Sequence, residues 1–402
     1  MVKILAVNAG SSSLKWKLFE MPQKQVLAAG LIERIGLEKS EFSFSVANKQ
    51  HREQLKISDH EAAVDCLLEI LTKYQIVGKL TEIKGVGHRF VNGGSFFSKS
   101  VIIDEANLNL MEQVKELAPL HNPGNILAIK AFQHELPTAV SVAVFDTGFH
   151  QTLPPENYLY SLPYQYFEKY HVRRFGAHGI SYRYVFSRML ELTDQPRNQA
   201  NAIIMHLGSG ASICAIKNGK SFDTTMGFSP VSGITMQTRS GDVDASLLVY
   251  LQEKLQISPQ QMLDILNQKS GLLGISQISS DLRDILAKVN SDSQAKLAIK
   301  IFVNRIIKYL GAYITELGQV DNLVFTGGIG ENVPLIRQLI CDKLNLFGVK
   351  LAERKNAAIG QIAKISQPSS QIAVWVIPTN EELMIAKDVF ELGKFNDGPK
   401  IS

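Results

Sequence analysis

Lys3-Ile4-Leu5-Ala6-Val7-Asn8-Ala9-Gly10-Ser11-Ser12-Ser13-Leu14-Lys15-Trp16-Lys17-Leu18-Phe19 joins an apolar run, a small polar turn, and a run alternating apolar with polar side chains. That order reads as strand, loop, strand. It recurs in the second half: Ala202-Ile203-Ile204-Met205 is apolar, His206-Leu207-Gly208-Ser209-Gly210-Ala211-Ser212 is a small-residue loop, and Ile213-Cys214-Ala215-Ile216-Lys217 is apolar again. Asn218-Gly219 then marks a hairpin turn. Two such hairpins, one in each half, predict a duplicated α/β unit with a site between the halves. Apolar residues at helical spacing predict helices over residues 61–74 and 295–317, and short β-branched runs predict strands over 83–88, 139–145, 323–325 and 373–377. A boundary after the turn Thr147-Gly148-Phe149 separates a first domain, residues 1–150, from a second, 151–382.

Composition narrows the function classes. With 402 residues, 45% of them hydrophobic, the chain can bury two cores without a staple. Cys66, Cys214 and Cys341 are odd in number, far apart and in no C-x-x-C pattern, which speaks against a disulfide framework or a zinc site and fits a reducing cytoplasm. A net charge of +4 without a basic block argues against nucleic acid as a partner. The first apolar run is too short for a secretion signal, and no stretch approaches the roughly 20 apolar residues of a membrane span. The expectation is a cytoplasmic protein without a membrane partner.

Three loops offer backbone N–H groups to phosphate oxygens. They are residues 8–13 with Lys15 beside them, Gly208-Ser209-Gly210 after His206, and Thr326-Gly327-Gly328-Ile329-Gly330-Glu331-Asn332. The third follows an apolar strand and precedes a helical segment, as nucleotide loops do, but it is not a Walker sequence. Arg89, after His88, and Arg239, in Thr238-Arg239-Ser240-Gly241-Asp242, supply planar cationic forks for carboxylate or phosphoryl oxygens. His121 and His178 lie in turns, where a site role competes evenly with that of a hydrogen-bonded loop histidine. Asp146 and Glu381 end strands, a place from which a carboxylate can reach a magnesium ion shared with phosphates; an N-cap or first-turn role explains either equally well.

Taken in order, Asn8-Ala9-Gly10-Ser11-Ser12-Ser13, Gly87-His88-Arg89, Pro119-Leu120-His121-Asn122-Pro123-Gly124, Phe145-Asp146-Thr147, Arg239-Ser240-Gly241-Asp242, Gly327-Gly328-Ile329-Gly330-Glu331-Asn332 and Pro378-Thr379-Asn380-Glu381-Glu382 resemble the acetate kinases of the sugar kinase, Hsp70 and actin superfamily. The resemblance implies a duplicated RNase H-like, actin-like ATPase fold with an interdomain cleft. It also implies a homodimer, and a last helix of about 383–402 returning to the first domain. The implied activity is reversible transfer of the ATP γ-phosphoryl group to acetate, with propionate or butyrate, or nucleotide binding without catalysis, as alternatives. By resemblance Arg89, His178, Arg239 and Asp146 are catalytic, and Asn8, Asp146 and Glu381 organise Mg2+, or Mn2+ in its place. Ser11, Ser13, Lys15, His206, Gly208, Ser209 and Gly210 would lie at the phosphates of ATP or ADP. Asp281, Leu282, Arg283, Gly327, Gly328, Ile329 and Gly330 would lie along the nucleotide. Val91, Leu120 and Pro230 would line the acyl pocket, and His121 would support the site.

Four positions depart from that pattern. Ser209 replaces an asparagine, Ser229-Pro230-Val231-Ser232-Gly233 lacks a glutamate, Gln237 replaces a glycine, and His178-Gly179-Ile180-Ser181-Tyr182 stands for His-Gly-Thr-Ser-His. If that glycine needs a positive φ, Gln237 strains the turn that aims Arg239. Altered ATP affinity, or pyrophosphate as donor, is the expected consequence.

Overall fold

The computed structural model describes residues 1–46 and 49–395, and contains two compact units. The first comprises Met1–Gln151 and the chain from Asn380; the second is Thr152–Thr379.

The first unit is built on eight strands, β1 (Val2–Ala9), β2 (Ser13–Met21), β3 (Gln25–Glu33), β4 (Ser40–Val46), β5 (Lys49–Leu55), β6 (Ile83–Phe90), β7 (Val101–Ile102) and β8 (Val140–Phe145), in the spatial order 5-4-3-2-1-6-8-7. β1 to β5 form an antiparallel meander, and β1, β6 and β8 run parallel. The second unit holds β9 (Ala202–Leu207), β10 (Ala211–Lys217), β11 (Lys220–Thr224), β12 (Asn322–Thr326), β13 (Ala363–Lys364) and β14 (Ala373–Val376), in the order 11-10-9-12-14-13. Its three-strand meander continues into parallel β12 and β14, repeating the 3-2-1-6-8 pattern of the first sheet. The duplicated α/β fold expected from the two hairpins is therefore present. Asn218 and Gly219, both with positive φ, form the turn between β10 and β11.

Helices cover the sheets where the 3.6-residue pattern places them. His60–Lys73 buries Val64, Leu67, Leu68 and Leu71, and Ser293–Leu317 buries Phe302, Ile306 and Leu310. Both begin with an aspartate, Asp59 or Asp292, accepting from a first-turn N–H. Among the described residues no helix is long and apolar enough to cross a membrane, and the three cysteines are free.

The helix Glu381–Leu392 packs on β1, β6 and β8. It begins before and ends well short of the expected 383–402, and residues 396–402 lie outside the described ones. Its seat on β6 is made by absent side chains: a β-carbon on Gly87 would lie 2.3 Å from Ile385 Cγ2, and one on Gly85 2.4 Å from Val389 Cγ1. Gly87→Val is expected to cost about 1–3 kcal/mol by overpacking. Urea denaturation measures this.

Candidate active site

In the first unit, strand alternation puts His88 and Arg89 on opposite faces of β6. His88 is buried beside Phe132, and burial pushes its imidazole down to about 3, making it a neutral core side chain. Arg89 donates to Asp146 Oδ2 from Nε at 3.0 Å and from Nη2 at 2.5 Å, and from Nη1 to Asn8 Oδ1 at 3.0 Å. Burial works against the Arg89 charge, but the Asp146 carboxylate outweighs it. Asp146 follows β8, its N–H bonded to the Phe90 carbonyl at 3.0 Å, and is fully buried. Its second oxygen, Oδ1, accepts no hydrogen bond.

The loop after Asn8 is pinned by two helices. His60 Nε2 donates to the Gly10 carbonyl at 2.7 Å, and Asn125 Nδ2 donates to the Ala9 carbonyl at 2.6 Å. Gly10 N–H reaches the Ser13 carbonyl at 2.7 Å, closing a turn that leaves Ser11 exposed and Ser13 half-buried. Val91 is buried, and its N–H reaches Asn125 Oδ1 at 3.3 Å. Leu120 is 57% exposed, and His121 flanks the start of the helix Asn122–Glu135. Asn122 and Asn92 exchange hydrogen bonds of 2.9 and 3.2 Å, which holds the Val91 and Leu120 segments side by side.

Asn380 caps the last helix through Leu383 N–H at 3.1 Å, so Glu381 and Glu382 occupy its first turn, where the helix dipole favours anions. Glu382, 6% exposed, receives Lys15 Nζ at 2.5 Å and Lys17 Nζ at 3.2 Å. Burial raises its pKa, and the two lysines more than offset this. Lys15, read as a phosphate contact, is thus already paired. Burial raises the Glu381 carboxyl to about 7; Asp146 and Glu382 add to the rise, and Arg89 opposes it.

In the second unit, β9 and β10 set His206 opposite Ser212 across the loop Gly208-Ser209-Gly210. His178 precedes the helix Gly179–Thr193 with φ +59°, a left-handed conformation rare for a side-chain-bearing residue and frequent at functional sites. Its ring stacks on His206 with centroids 4.2 Å apart. A β-carbon on Gly210 would lie 3.3 Å from His178 Nε2 and 3.4 Å from Arg239 Nη1, so the two side chains meet over that glycine.

The Arg239 turn is fixed by backbone bonds. Met236 N–H reaches the Arg239 carbonyl at 3.1 Å, Ser270 N–H the Thr238 carbonyl at 3.0 Å, and Leu272 N–H the Met236 carbonyl at 2.8 Å. Gln237 does not have a positive φ, so the expected strain is absent; the left-handed position is Gly271, where a β-carbon would lie 2.3 Å from the Met236 carbonyl. Gln237 N–H instead bonds the Ser209 carbonyl at 3.3 Å, which puts two of the departures in contact. Pro230 is half-buried, its carbonyl 3.5 Å from Arg239 Nη1.

The third loop enters the short helix Gly327–Asn332. Gly327 has φ +76°, and a β-carbon there would lie 2.7 Å from the Leu207 carbonyl, so the second and third loops adjoin. Gly328 has open space beside it, whereas Ile329 is in the core. Gly330 stands over Phe325. Leu282 is likewise a core side chain, so it and Ile329 can offer a nucleotide only their backbone. Asp281 caps the helix Leu282–Lys288 and pairs with exposed Arg283 at 2.5 Å.

Sequence reading missed several participants. Glu331 Oε1 accepts from Gly327 N–H at 2.8 Å and Thr379 N–H at 3.1 Å, placing a carboxylate at the start of the glycine helix. Thr379 Oγ1 lies 2.8 Å from Ser181 Oγ, which lies 2.8 Å from His206 Nδ1. Glu382 and Lys17 were also overlooked. The adjacent Glu381-Glu382 and the alternating Lys15 and Lys17 were the available signals.

The sequence profile of the Acetokinase family matches residues 3–387. The chain belongs to that family. Within the acetokinases it is 52% identical over 391 residues to an acetate kinase of Fructilactobacillus sanfranciscensis, covering 97% of this chain and 98% of that one. The crystal structure of Porphyromonas gingivalis acetate kinase superimposes with a TM-score of 0.94 at 42% identity, covering 98% of this chain and 100% of that one. A propionate kinase from Francisella tularensis superimposes with a TM-score of 0.91 at 39% identity, covering 96% and 99%. As an acetokinase, the chain is a phosphotransferase with a carboxyl group as acceptor, and ATP is its co-substrate.

Proposed function

We propose that this chain transfers the γ-phosphoryl group of ATP to acetate by direct in-line displacement, giving acetyl phosphate and ADP. An acetate oxygen attacks the γ-phosphorus as the bond to the ADP oxygen breaks. No strong base is needed, because a carboxylate is already ionised at neutral pH. Alignment and charge neutralisation are what the protein must supply. Arg89 and Arg239 would hold the acyl carboxylate and the equatorial oxygens, and His178 would donate to one of those oxygens. The meeting of Arg239 and His178 over Gly210 carries this reading, because two donors converge where a β-carbon is missing. The loops at residues 8–13, 208–210 and 327–330 would take the phosphates and nucleotide.

Asp146 and Glu381 fit a magnesium ion. The buried, unbonded Oδ1 of Asp146 is an acceptor awaiting a partner, and Glu381 stands among carboxylates whose repulsion a dication relieves. Two carboxylates suit an ion that keeps phosphate and water ligands. Magnesium, when bound, supplies charge neutralisation on the phosphate oxygens. Glu381→Gln is expected to raise the Mg2+ concentration for half-maximal rate by about 10–100-fold; an unchanged magnesium titration would count against the assignment.

Exposed Leu247, Val249, Tyr250 and Leu255 on the helix Ala245–Leu255, which buries no residue, support a homodimer, and free cysteines support a reducing cytoplasm. Propionate is the second reading, favoured by the Francisella relative and by the small Ala177, where some members of the family carry phenylalanine. A hydroxamate assay with Mg-ATP and acetate or propionate, repeated with pyrophosphate, tests the acceptor and the donor. Product with ATP and acetate is expected; product only with pyrophosphate would overturn the donor.

A further inference from the structure

His178 and Tyr182 lie four residues apart at the start of the helix Gly179–Thr193, and so on one face of it. Both reach the same hydroxyl. His178 Nδ1 is 2.8 Å from Ser212 Oγ, and Tyr182 OH is 2.5 Å from that oxygen. Ser212 and Tyr182 are fully buried. Tyr182 occupies the position where the resembling family carries the second histidine of His-Gly-Thr-Ser-His, so the chain Tyr182–Ser212–His178 belongs to this sequence's own departure from the pattern.

We propose that Tyr182 and Ser212 are positioning residues that hold neutral His178 in the tautomer with its proton on Nε2. A phenol is more acidic than an aliphatic hydroxyl, so in the short Tyr182–Ser212 bond the phenol gives the proton. Burial pushes the Tyr182 pKa further up, which keeps that proton in place. The Ser212 proton is then directed to His178 Nδ1, and a neutral imidazole whose Nδ1 accepts carries its hydrogen on Nε2. Nε2 is the atom that faces Gly210 and the Arg239 guanidinium. The relay thus presents a fixed N–H donor beside Arg239 without requiring the ring to be charged.

The kinetic consequence rests on the proposed phosphoryl transfer; the tautomer does not. The test is 15N NMR of the full-length protein labelled at histidine, with the His178 signals assigned by their loss in His178→Asn. The parent should show an unprotonated Nδ1 and a protonated Nε2. Tyr182→Phe and Ser212→Ala should each mix the tautomers and lower kcat about tenfold, the rate equivalent of one hydrogen bond, with KM for ATP and acetate within about twofold. Ser212→Thr, which keeps the hydroxyl, should retain both the tautomer and the rate. If Tyr182→Phe does not fold, the two Ser212 variants decide the matter. An Nδ1–H tautomer in the parent, or an unmoved tautomer in Ser212→Ala, would overturn the proposal. The expected tautomer in a parent without acyl kinase activity would support it while removing the functional reading.

Discussion

Arg239→Ala is expected to lower turnover by about 10³–10⁵-fold, the scale of a lost transition-state arginine, and to leave the unfolding transition close to that of the parent. The turn that carries Arg239 is held by main-chain bonds to residues 270–272 and by Thr238 Oγ1 on the Asn267 carbonyl at 2.8 Å. None of those bonds needs the guanidinium. Two of the contacts it makes, to the Pro230 carbonyl at 3.5 Å and the Met236 sulfur at 3.8 Å, are long. Arg239→Lys should recover only part of the rate, since a point charge cannot span two oxygens as a planar fork does. Steady-state kinetics beside thermal unfolding checks the pair; turnover within tenfold of the parent would remove Arg239 from the transfer step.

Arg89→Ala should lose a similar factor in rate but behave differently in stability. Asp146 is fully buried and takes two hydrogen bonds from Arg89 on one oxygen, with no hydrogen bond at the other. Removing the arginine strands a buried carboxylate, and breaking such a pair costs about 3–5 kcal/mol. The double variant Arg89→Ala, Asp146→Asn should regain much of the stability and none of the activity. Denaturant unfolding of both singles and the double gives the coupling. Equal stability losses in Arg89→Ala and Arg239→Ala would contradict this difference in surroundings.

How much of this was legible beforehand follows from the kind of signal each element leaves. β2 was readable because one of its faces is core, which forces alternation, and β1, β9 and β10 because both faces are buried, which forces an apolar run. β5, Lys-Gln-His-Arg-Glu-Gln-Leu, is an edge strand with every side chain exposed or half-buried, so its sequence carries no burial pattern and was not read as a strand. β3 and β4 also went unread, although Ile32, Phe42 and Phe44 are core. Motif order singles out Arg89, Asp146, His178 and Arg239, because each sits at a strand end or in a turn among distinctive residue types. Partnerships across long separations, such as Glu382 with Lys15 and Lys17, leave no local trace. The position of Gly271 explains why Gln237 misled: the turn's left-handed backbone lies on a segment far away in sequence.

Lys17 and Glu382 are 365 positions apart, yet they close one corner of a single unit. In chain order β1 to β8 precede the whole second unit, and the helix that covers Gly85 and Gly87 of β6 follows it. The carboxylates at the head of that helix arrive with it. The turn at residues 8–13 is therefore made long before Glu381 and Glu382, and the first unit is complete only after residues 152–379 of the second have been made.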